Sequence, residues 1–189
     1  RIIGYTAGTH YDTEILLKTI FVIQKQHKDV ILITTGRKFD SDFKKRFYDP
    51  DRIIEYGFLP YDEYTKLLPA VDVFLFPFAN KTINKGRWPN KIGDYMAAGR
   101  PIISNRTGDL NKLYRKYFIG MLSSECPYEF ALKTMKFLNN PELSDLVGRN
   151  SRKIAEQVYD WKLLSKELEE VFLHLFNYSR HSERILYNF

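Results

Sequence analysis

The chain has 189 residues, of which 44% are hydrophobic and 28% are charged, and its formal net charge is +6. This composition is typical of a folded globular domain and excludes a disordered or low-complexity segment. The single cysteine excludes an internal disulfide, and the four histidines are scattered without the spacing of a metal site. The longest apolar run, residues 71–79, is too short to cross a bilayer.

Short apolar runs alternate with segments of helical periodicity over the first 120 residues. We predict strands over residues 1–6, 30–34, 53–56, 71–76, 101–104 and 117–121. The first intervening helix is predicted to begin after a capping residue, Asp12 or Thr13. Further helices are predicted over residues 39–47, 62–68 and 90–98, then over 127–139, 141–158 and 161–178. Gly99 is predicted to end the helix 90–98 in the left-handed conformation, and residues 179–189 are predicted to form a tail.

Strands that are apolar on both faces and separated by helices predict a parallel sheet covered on both sides. Right-handed crossovers between such strands give a doubly wound, Rossmann-like α/β fold, here with six strands and a helical C-terminal extension. Residues 1–178 are predicted to form this domain. Because the sequence begins without methionine and directly on a predicted strand, we expect it to be a fragment of a longer protein.

Positive charge is concentrated in one part of the chain. Residues 81–118, here called the basic window, contain nine Lys or Arg and two acidic residues, so the window carries +7 in a chain of +6. Ligands of doubly wound sheets bind beyond the carboxyl ends of the strands. Arg87 and Lys91 flank the start of the predicted helix 90–98, and a cationic loop beside a helix N-terminus is suited to phosphate. The basic window therefore predicts a phosphate site.

Five sequence segments stand in a recognisable order. They are GYTAG at residues 4–8, YGFLP at 56–60, AVDVFLFP at 70–77, DYMAAGRPII at 94–103 and YDW at 159–161. Together they resemble the C-terminal, donor-binding domain of GT-B fold glycosyltransferases, closest to the group 1, or GT4-like, retaining enzymes. The resemblance covers about residues 1–178.

This resemblance implies that the chain binds a nucleotide-sugar donor, such as a UDP- or GDP-hexose, without a metal or other cofactor. It assigns Arg87 and Lys91 to the diphosphate, where they would stabilise the leaving group during catalysis. It assigns Asp94 to the ribose hydroxyls, because a carboxylate accepts hydrogen bonds from two adjacent hydroxyls. The other donor-binding residues that it implies are Gly8, Thr9, His10, Gly57, Phe58, Lys85, Gly86 and Asn90.

Two features depart from the family pattern. Gly86 stands where the family has its first acidic residue, which addresses the donor sugar, so the hexose contact must come from backbone N–H groups or another side chain. The basic pair expected after the first strand is also absent. We expect Lys85, Arg87 and Lys91 to take over the role of that pair.

The implied enzyme transfers a hexose, with retention, to a glycan or lipid-linked acceptor held by a second, N-terminal domain. We expect the isolated domain to be inactive alone and to take part in polysaccharide biosynthesis in the cytoplasm, where peripheral association with the inner face of the membrane is compatible with a lipid-linked acceptor. No nucleic-acid partner is expected. Two alternatives stay open: an epimerase or hydrolase of the same fold acting on a nucleotide sugar, and a basic module that binds nucleic acid or an anionic membrane.

The principal site residues also have structural alternatives. Arg87 and Lys91 could be solvated surface cations, which is the usual location of these residue types. Asp94 could form a surface pair with Lys91, three residues earlier on the same helix.

Three aromatic residues and one loop have two interpretations as well. Tyr56 and Phe58 could stack on a nucleobase or belong to the core. The loop of residues 104–108 could hold phosphate or sugar, or could cap the next helix. Trp161 is predicted to pack the final helix on the sheet, without a chemical role.

Overall fold

A computed structural model describes the backbone of residues 1–7 and 12–186, and the side chains of residues 1–6 and 12–176. The described residues form six strands and nine α-helices. The strands are β1 (Ile2–Ala7), β2 (Ile31–Gly36), β3 (Ile53–Glu55), β4 (Val73–Phe76), β5 (Ile102–Asn105) and β6 (Gly120–Ser123). The helices are α1 (Thr13–Gln26), α2 (Ser41–Lys44), α3 (Tyr61–Leu67), α4 (Thr82–Lys85), α5 (Lys91–Ala97), α6 (Leu110–Lys116), α7 (Pro127–Leu138), α8 (Pro141–Val158) and α9 (Trp161–Leu186).

All six strands are parallel and lie in the order β3-β2-β1-β4-β5-β6, so β1 and β4 are neighbours at the centre of the sheet. This confirms the predicted doubly wound, Rossmann-like fold. The predicted strand 117–121 begins later, at Gly120, because Tyr117 still donates its backbone N–H to Leu113 at the end of α6. The predicted helix 39–47 is reduced to the single turn of α2, which Asp40 caps.

The core consists of two apolar clusters, one on each face of the sheet. α1 and α7 cover one face, where Leu16 and Phe130 are fully buried against strand residues. α5 and α6 cover the other face, where Tyr95 and Leu110 are fully buried. The helix that follows β1 and the helix α5, which comes after β4, therefore lie on opposite faces of the sheet.

α5 and α8 pack with their backbones in close approach. α5 is followed by Gly99, whose φ of +69° confirms the predicted left-handed stop. A Cβ added to Gly148 in α8 would lie 2.1 Å from the carbonyl oxygen of Gly99. Two glycines thus allow the end of α5, the helix that carries Lys91 and Asp94, to rest directly on α8.

α9 begins at Trp161, as predicted, but differs from the prediction in its length and in the packing of Trp161. It extends to Leu186, so the expected tail of residues 179–189 is helical over the whole of its described part, residues 179–186. No Gly or Pro follows Gly148 in the sequence, so no helix-breaking residue stops α9 near residue 178. Trp161 is 81% exposed and does not pack on the sheet, because α9 contacts the rest of the fold mainly through α8. Across the described part of the chain, each helix is too short or too polar to span a bilayer.

Replacing Gly148 with alanine is expected to lower the free energy of unfolding by about 1–3 kcal/mol, because the new Cβ overpacks the contact between α5 and α8. Gly93→Ala is the matched control, since a Cβ at this position in α5 would meet no atom within 4 Å. That variant is expected to be as stable as the unchanged chain, or more stable by up to about 1 kcal/mol from helix propensity. Urea unfolding followed by circular dichroism measures both, and equal stability of the two variants would contradict the close approach.

Candidate functional site

The carboxyl ends of β1 and β4 open into a cleft of about 370 Å³, here called the central cleft. It lies where the chain leaves two neighbouring strands toward opposite faces, which is where doubly wound sheets bind ligands. Four of the predicted site residues line it, namely Arg87, Asn90, Lys91 and Asp94. The other lining residues are Tyr5, Thr6, Phe76, Pro77, Phe78, Trp88 and Pro89.

Arg87 lies between α4 and α5 and is held from two directions. Its guanidinium carbon lies 5.1 Å from the centre of the Phe78 ring. Its Nε and Nη2 atoms donate hydrogen bonds to Asn84 Oδ1 at 3.2 and 2.8 Å. The backbone N–H of Phe78 in turn donates to Asn105 Oδ1 at 2.7 Å. A cation–π contact combined with two hydrogen bonds shows that Arg87 is not a freely solvated surface cation.

Asp12 has a different role from the one predicted. It occupies the N-cap position of α1, but its side chain makes no capping hydrogen bond and its φ is +61°. The carboxylate instead accepts hydrogen bonds from Ala79 N at 3.1 Å, Lys81 Nζ at 2.6 Å and Asn84 Nδ2 at 2.8 Å. Asn84, which is 1% exposed, thus connects the Asp12 carboxylate to the guanidinium of Arg87. The sequence analysis did not place Asp12 or Asn84 at the site.

α5 begins inside the central cleft. Lys91 is half-buried, and burial lowers its pKa, while the nearby charge of Asp94 acts in the opposite direction. Asn90 occupies the N-cap position of α5, but its side chain makes no capping hydrogen bond. A partly desolvated ammonium group gains more from an anionic partner than an exposed one does. Lys91 is therefore well placed to bind an anion.

Asp94 is oriented by a tyrosine. Its Oδ2 atom accepts a hydrogen bond from Tyr64 Oη at 2.9 Å. Burial, and then the charge of Asp94, raises the pKa of Tyr64, so the tyrosine keeps the proton that it donates. Among the ion pairs of the described side chains, none joins Asp94 to Lys91, although the charge of Asp94 partly offsets the lowering of the Lys91 pKa by burial.

Tyr95 ties α5 to the end of β1 beneath the central cleft. Its side chain is fully buried, and its ring stacks on Phe74 with the ring centres 3.9 Å apart. Its hydroxyl oxygen accepts a hydrogen bond from the backbone N–H of Thr6 at 2.8 Å. Because Thr6 is in β1, this hydrogen bond fixes the position of Lys91 and Asp94 relative to the strand.

The predicted residues after β3 lie at the same edge of the sheet but do not line the central cleft. The carbonyl oxygen of Gly57 accepts a hydrogen bond from Gly36 N at 2.7 Å. The backbone φ angle of Gly57 is +73°. Phe58 is 78% exposed and Tyr56 is 46% exposed, so the interpretation of these two aromatic residues as core is wrong. β3 is separated from β1 by β2 alone, so these residues are two strand positions from the central cleft.

The remaining predicted residues fall in two groups. Lys85 ends α4 and Gly86 follows it, and both are exposed outside the lining of the central cleft. Gly8, Thr9 and His10 lie outside the described residues.

A larger cleft of about 800 Å³ adjoins the central cleft between α5, α8 and the start of α9. Trp88, Asn90 and Asp94 line both. The Trp88 ring stacks on Tyr159 with the ring centres 5.7 Å apart, and Trp161 lines the larger cleft rather than the core. Of these two clefts, the central one contains both Arg87 and Lys91.

The loop of residues 104–108 supports the central cleft without lining it. Ser104 Oγ donates to the carbonyl oxygen of Phe76 at 2.7 Å, and Asn105 Nδ2 donates to Ser124 O at 2.9 Å. The loop therefore has a structural role. Within the part of the chain that the structure describes, no three His, Cys, Asp or Glu side chains come close enough to hold a metal ion.

A six-stranded parallel sheet in this order, with a cationic cleft at its switch point, defines a doubly wound, Rossmann-like domain. The family model for group 1 glycosyl transferases matches residues 1–140, and the chain belongs to this family.

Curated relatives are similar to this chain in sequence, and solved structures are similar to it in fold. YtcC from Bacillus subtilis (strain 168) is 25% identical over 175 residues, which cover 88% of this chain and 42% of YtcC. HepE from Anabaena, solved in complex with UDP and glucose, is similar with a TM-score of 0.74 and 17% identity over 92% of this chain and 48% of HepE. The C-terminal domain of the group 1 family protein LpcC from Francisella tularensis has a TM-score of 0.67 and 17% identity, covering 85% of this chain and 86% of that domain. The chain spans less than half the length of the curated relatives that it matches.

Replacing Tyr95 with phenylalanine is expected to destabilise the chain by about 1–3 kcal/mol, because the buried N–H of Thr6 loses its acceptor. Tyr128→Phe is the control, since Tyr128 is 67% exposed, and a change within about 0.5 kcal/mol is expected there. Guanidinium unfolding of both variants provides the measurement. Indistinguishable midpoints would mean that the hydrogen bond does not tie α5 to β1.

Proposed function

We propose that this chain is the donor-binding domain of a glycosyltransferase and that it binds the diphosphate of a nucleotide sugar in the central cleft. The observation that carries the proposal is the presence of two cations, Arg87 and Lys91, beside the carboxylate of Asp94 in one cleft at the switch point. Membership of the group 1 family supports it, as does the fold shared with HepE, a protein solved with UDP and glucose.

In the proposed reaction, Arg87 and Lys91 bind the diphosphate and stabilise the negative charge that develops on it as the sugar departs. The planar guanidinium suits two phosphate oxygens at once, whereas the ammonium acts as a point charge. Charges that are oriented in advance toward a leaving group stabilise its transition state without reorganisation. We propose that these two side chains act without a metal ion. Transfer of a hexose with retention, to a glycan or lipid-linked acceptor on a second domain, is proposed from the family resemblance.

The nucleoside part of the donor is proposed to extend from Asp94 toward β3. Tyr64 holds one oxygen of the Asp94 carboxylate, and we propose that the carboxylate accepts hydrogen bonds from the ribose hydroxyls. Gly57 and the exposed ring of Phe58 lie farther along the same edge, where a planar base would stack.

General binding of a polyanion is the second candidate, because the basic window carries +7. In that case, cations far from the central cleft contribute as much as those inside it. Lys112 and Arg115 on α6 belong to the same window but do not line the central cleft, so they serve as a matched comparison.

Titration calorimetry with UDP, GDP and ADP is expected to show binding of one of them to the unchanged chain. The double variant Arg87→Ala/Lys91→Ala is expected to bind at least about tenfold more weakly, since each charged hydrogen bond contributes roughly 1.5–3 kcal/mol. Lys112→Ala/Arg115→Ala removes the same charge and is expected to weaken binding by no more than about threefold at physiological ionic strength. Equal losses in both double variants would favour general polyanion binding, and no binding of any diphosphate would contradict the proposal.

Asp94→Asn is expected to reduce the affinity for the ribonucleotide about three- to tenfold more than the affinity for the matching 2′-deoxynucleotide. The comparison of the two ligands cancels the loss of one negative charge, which affects both alike. Asp109→Asn, another acidic residue of the basic window, is the control and is expected to leave the ratio of the two affinities unchanged. A ratio that also remains constant in Asp94→Asn would exclude Asp94 from contact with the ribose.

A further inference from the structure

The Asp12 carboxylate is a buried charge with an unusual backbone. Its side chain is 1% exposed, and its φ of +61° is in the left-handed region, which residues other than glycine seldom adopt. A buried carboxylate is retained only where donors compensate its lost hydration, and three donors surround this one. Lys81 supplies one of them, and its hydrogen bond to Asp12 raises the pKa of Lys81. Neither the fold prediction nor the proposed donor contacts accounts for this residue.

The hydrogen bonds of Asn84 can form in one orientation of its amide. The Nδ2 group donates to Asp12 Oδ2 at 2.8 Å and to the carbonyl oxygen of Ala79 at 2.9 Å. A flipped amide would place its oxygen against these two acceptors, so Oδ1 must point away from them. That oxygen is the atom that accepts from both Nε and Nη2 of Arg87. Asp12 therefore determines which atom Asn84 presents to the guanidinium.

We propose that Asp12 and Asn84 are positioning residues for phosphate binding: the buried carboxylate fixes the amide of Asn84, and that amide fixes the guanidinium of Arg87 at the central cleft. The inference deepens the proposed function and rests on it. Asn84 holds the Nε–Nη2 edge of Arg87, and the Phe78 ring holds the guanidinium face. A long side chain fixed in this way loses less rotamer freedom when it binds a phosphate.

The sign of one mutational effect separates positioning from simple electrostatics. Asp12→Asn removes a negative charge close to the central cleft, so Coulomb attraction alone predicts tighter binding of an anion. Loss of the carboxylate that orients Asn84 predicts weaker binding. We expect Asp12→Asn to weaken the binding of UDP, or of whichever of UDP, GDP and ADP binds the unchanged chain, about fivefold. Asn84→Ala is expected to weaken it about tenfold.

A double-mutant cycle tests whether the effect passes through Arg87. In an Arg87→Ala background, Asp12→Asn and Asn84→Ala are each expected to change the affinity by less than about twofold. Asp109→Asn is the control for charge and is expected to give equal or slightly tighter binding. Unchanged or tighter binding by Asp12→Asn would overturn the inference, and so would equal weakening with and without Arg87.

Arg87→Lys is a second variant that leaves the buried residues intact, because position 87 is exposed. It keeps the positive charge but lacks the planar edge that Asn84 holds, so weaker binding of the same diphosphate is expected. That weakening is expected to be smaller when Asn84 is alanine, because only the loss of the two-oxygen phosphate contact then remains. Equal affinity of Arg87→Lys and the unchanged chain would overturn the inference even if the variants of Asp12 and Asn84 fail to fold.

A measurement without ligand keeps the inference separate from the proposed function. The Nε–H signal of Arg87 in a nitrogen–proton correlation spectrum is identified by its loss in Arg87→Lys. It is expected to be protected from solvent exchange in the unchanged chain and exposed to exchange in Asn84→Ala and Asp12→Asn. If no diphosphate binds, the proposed function fails while this signal still decides whether Asp12 and Asn84 hold Arg87. A signal that exchanges equally fast in all three chains would overturn the inference.

Discussion

The chain leaves the neighbouring strands β1 and β4 toward opposite faces of the sheet, and the candidate site depends on this divergence. α1 joins the apolar cluster on one face, and α5 joins the cluster on the other, so a gap opens above the carboxyl ends of the two strands. The hydrogen bond from Thr6 N to Tyr95 Oη ties α5 to β1 beneath that gap. Lys91 and Asp94 occupy positions set by α5, whereas Arg87 is held by Asn84 of α4 and by the Phe78 ring.

The charge of the basic window is divided between structural and cleft positions once the chain folds. Lys81 and Lys112 form ion pairs with carboxylates at 2.6 and 3.1 Å, and Arg100 donates to a backbone carbonyl oxygen. Arg87 and Lys91, in contrast, line the central cleft. Summing charge along the sequence marked the region, and the position beside the predicted helix 90–98 together with the family resemblance selected Arg87 and Lys91 from the nine cations. The fold adds that both side chains line one cleft.

The parts of the molecule that were predictable are those encoded by local patterns. Apolar runs, helix stops and their alternation predicted the six parallel strands and most of the helices, because short-range periodicity determines these elements. The contacts of Asp12 with Lys81 and Asn84 join residues 69 and 72 positions apart, and no local pattern indicates them. Trp161 was predicted incorrectly for a related reason, since an aromatic residue at a helix start does not reveal which surface the helix covers.

Gly86 marks the position where this chain departs from the pattern that it resembles. Its φ is −92°, and an added Cβ would meet only the carbonyl oxygen of Thr82, at 3.9 Å. Neither the backbone conformation nor the packing therefore requires a glycine here. A residue without a side chain lets a ligand approach the backbone closely, but the backbone N–H groups of Lys85 and Gly86 already donate to the carbonyl oxygens of Lys81 and Thr82 at 3.0 and 3.3 Å. Gly86 therefore supplies space rather than a hydrogen-bond donor, and under the proposed function the backbone amides of Lys85 and Gly86 do not replace the missing carboxylate.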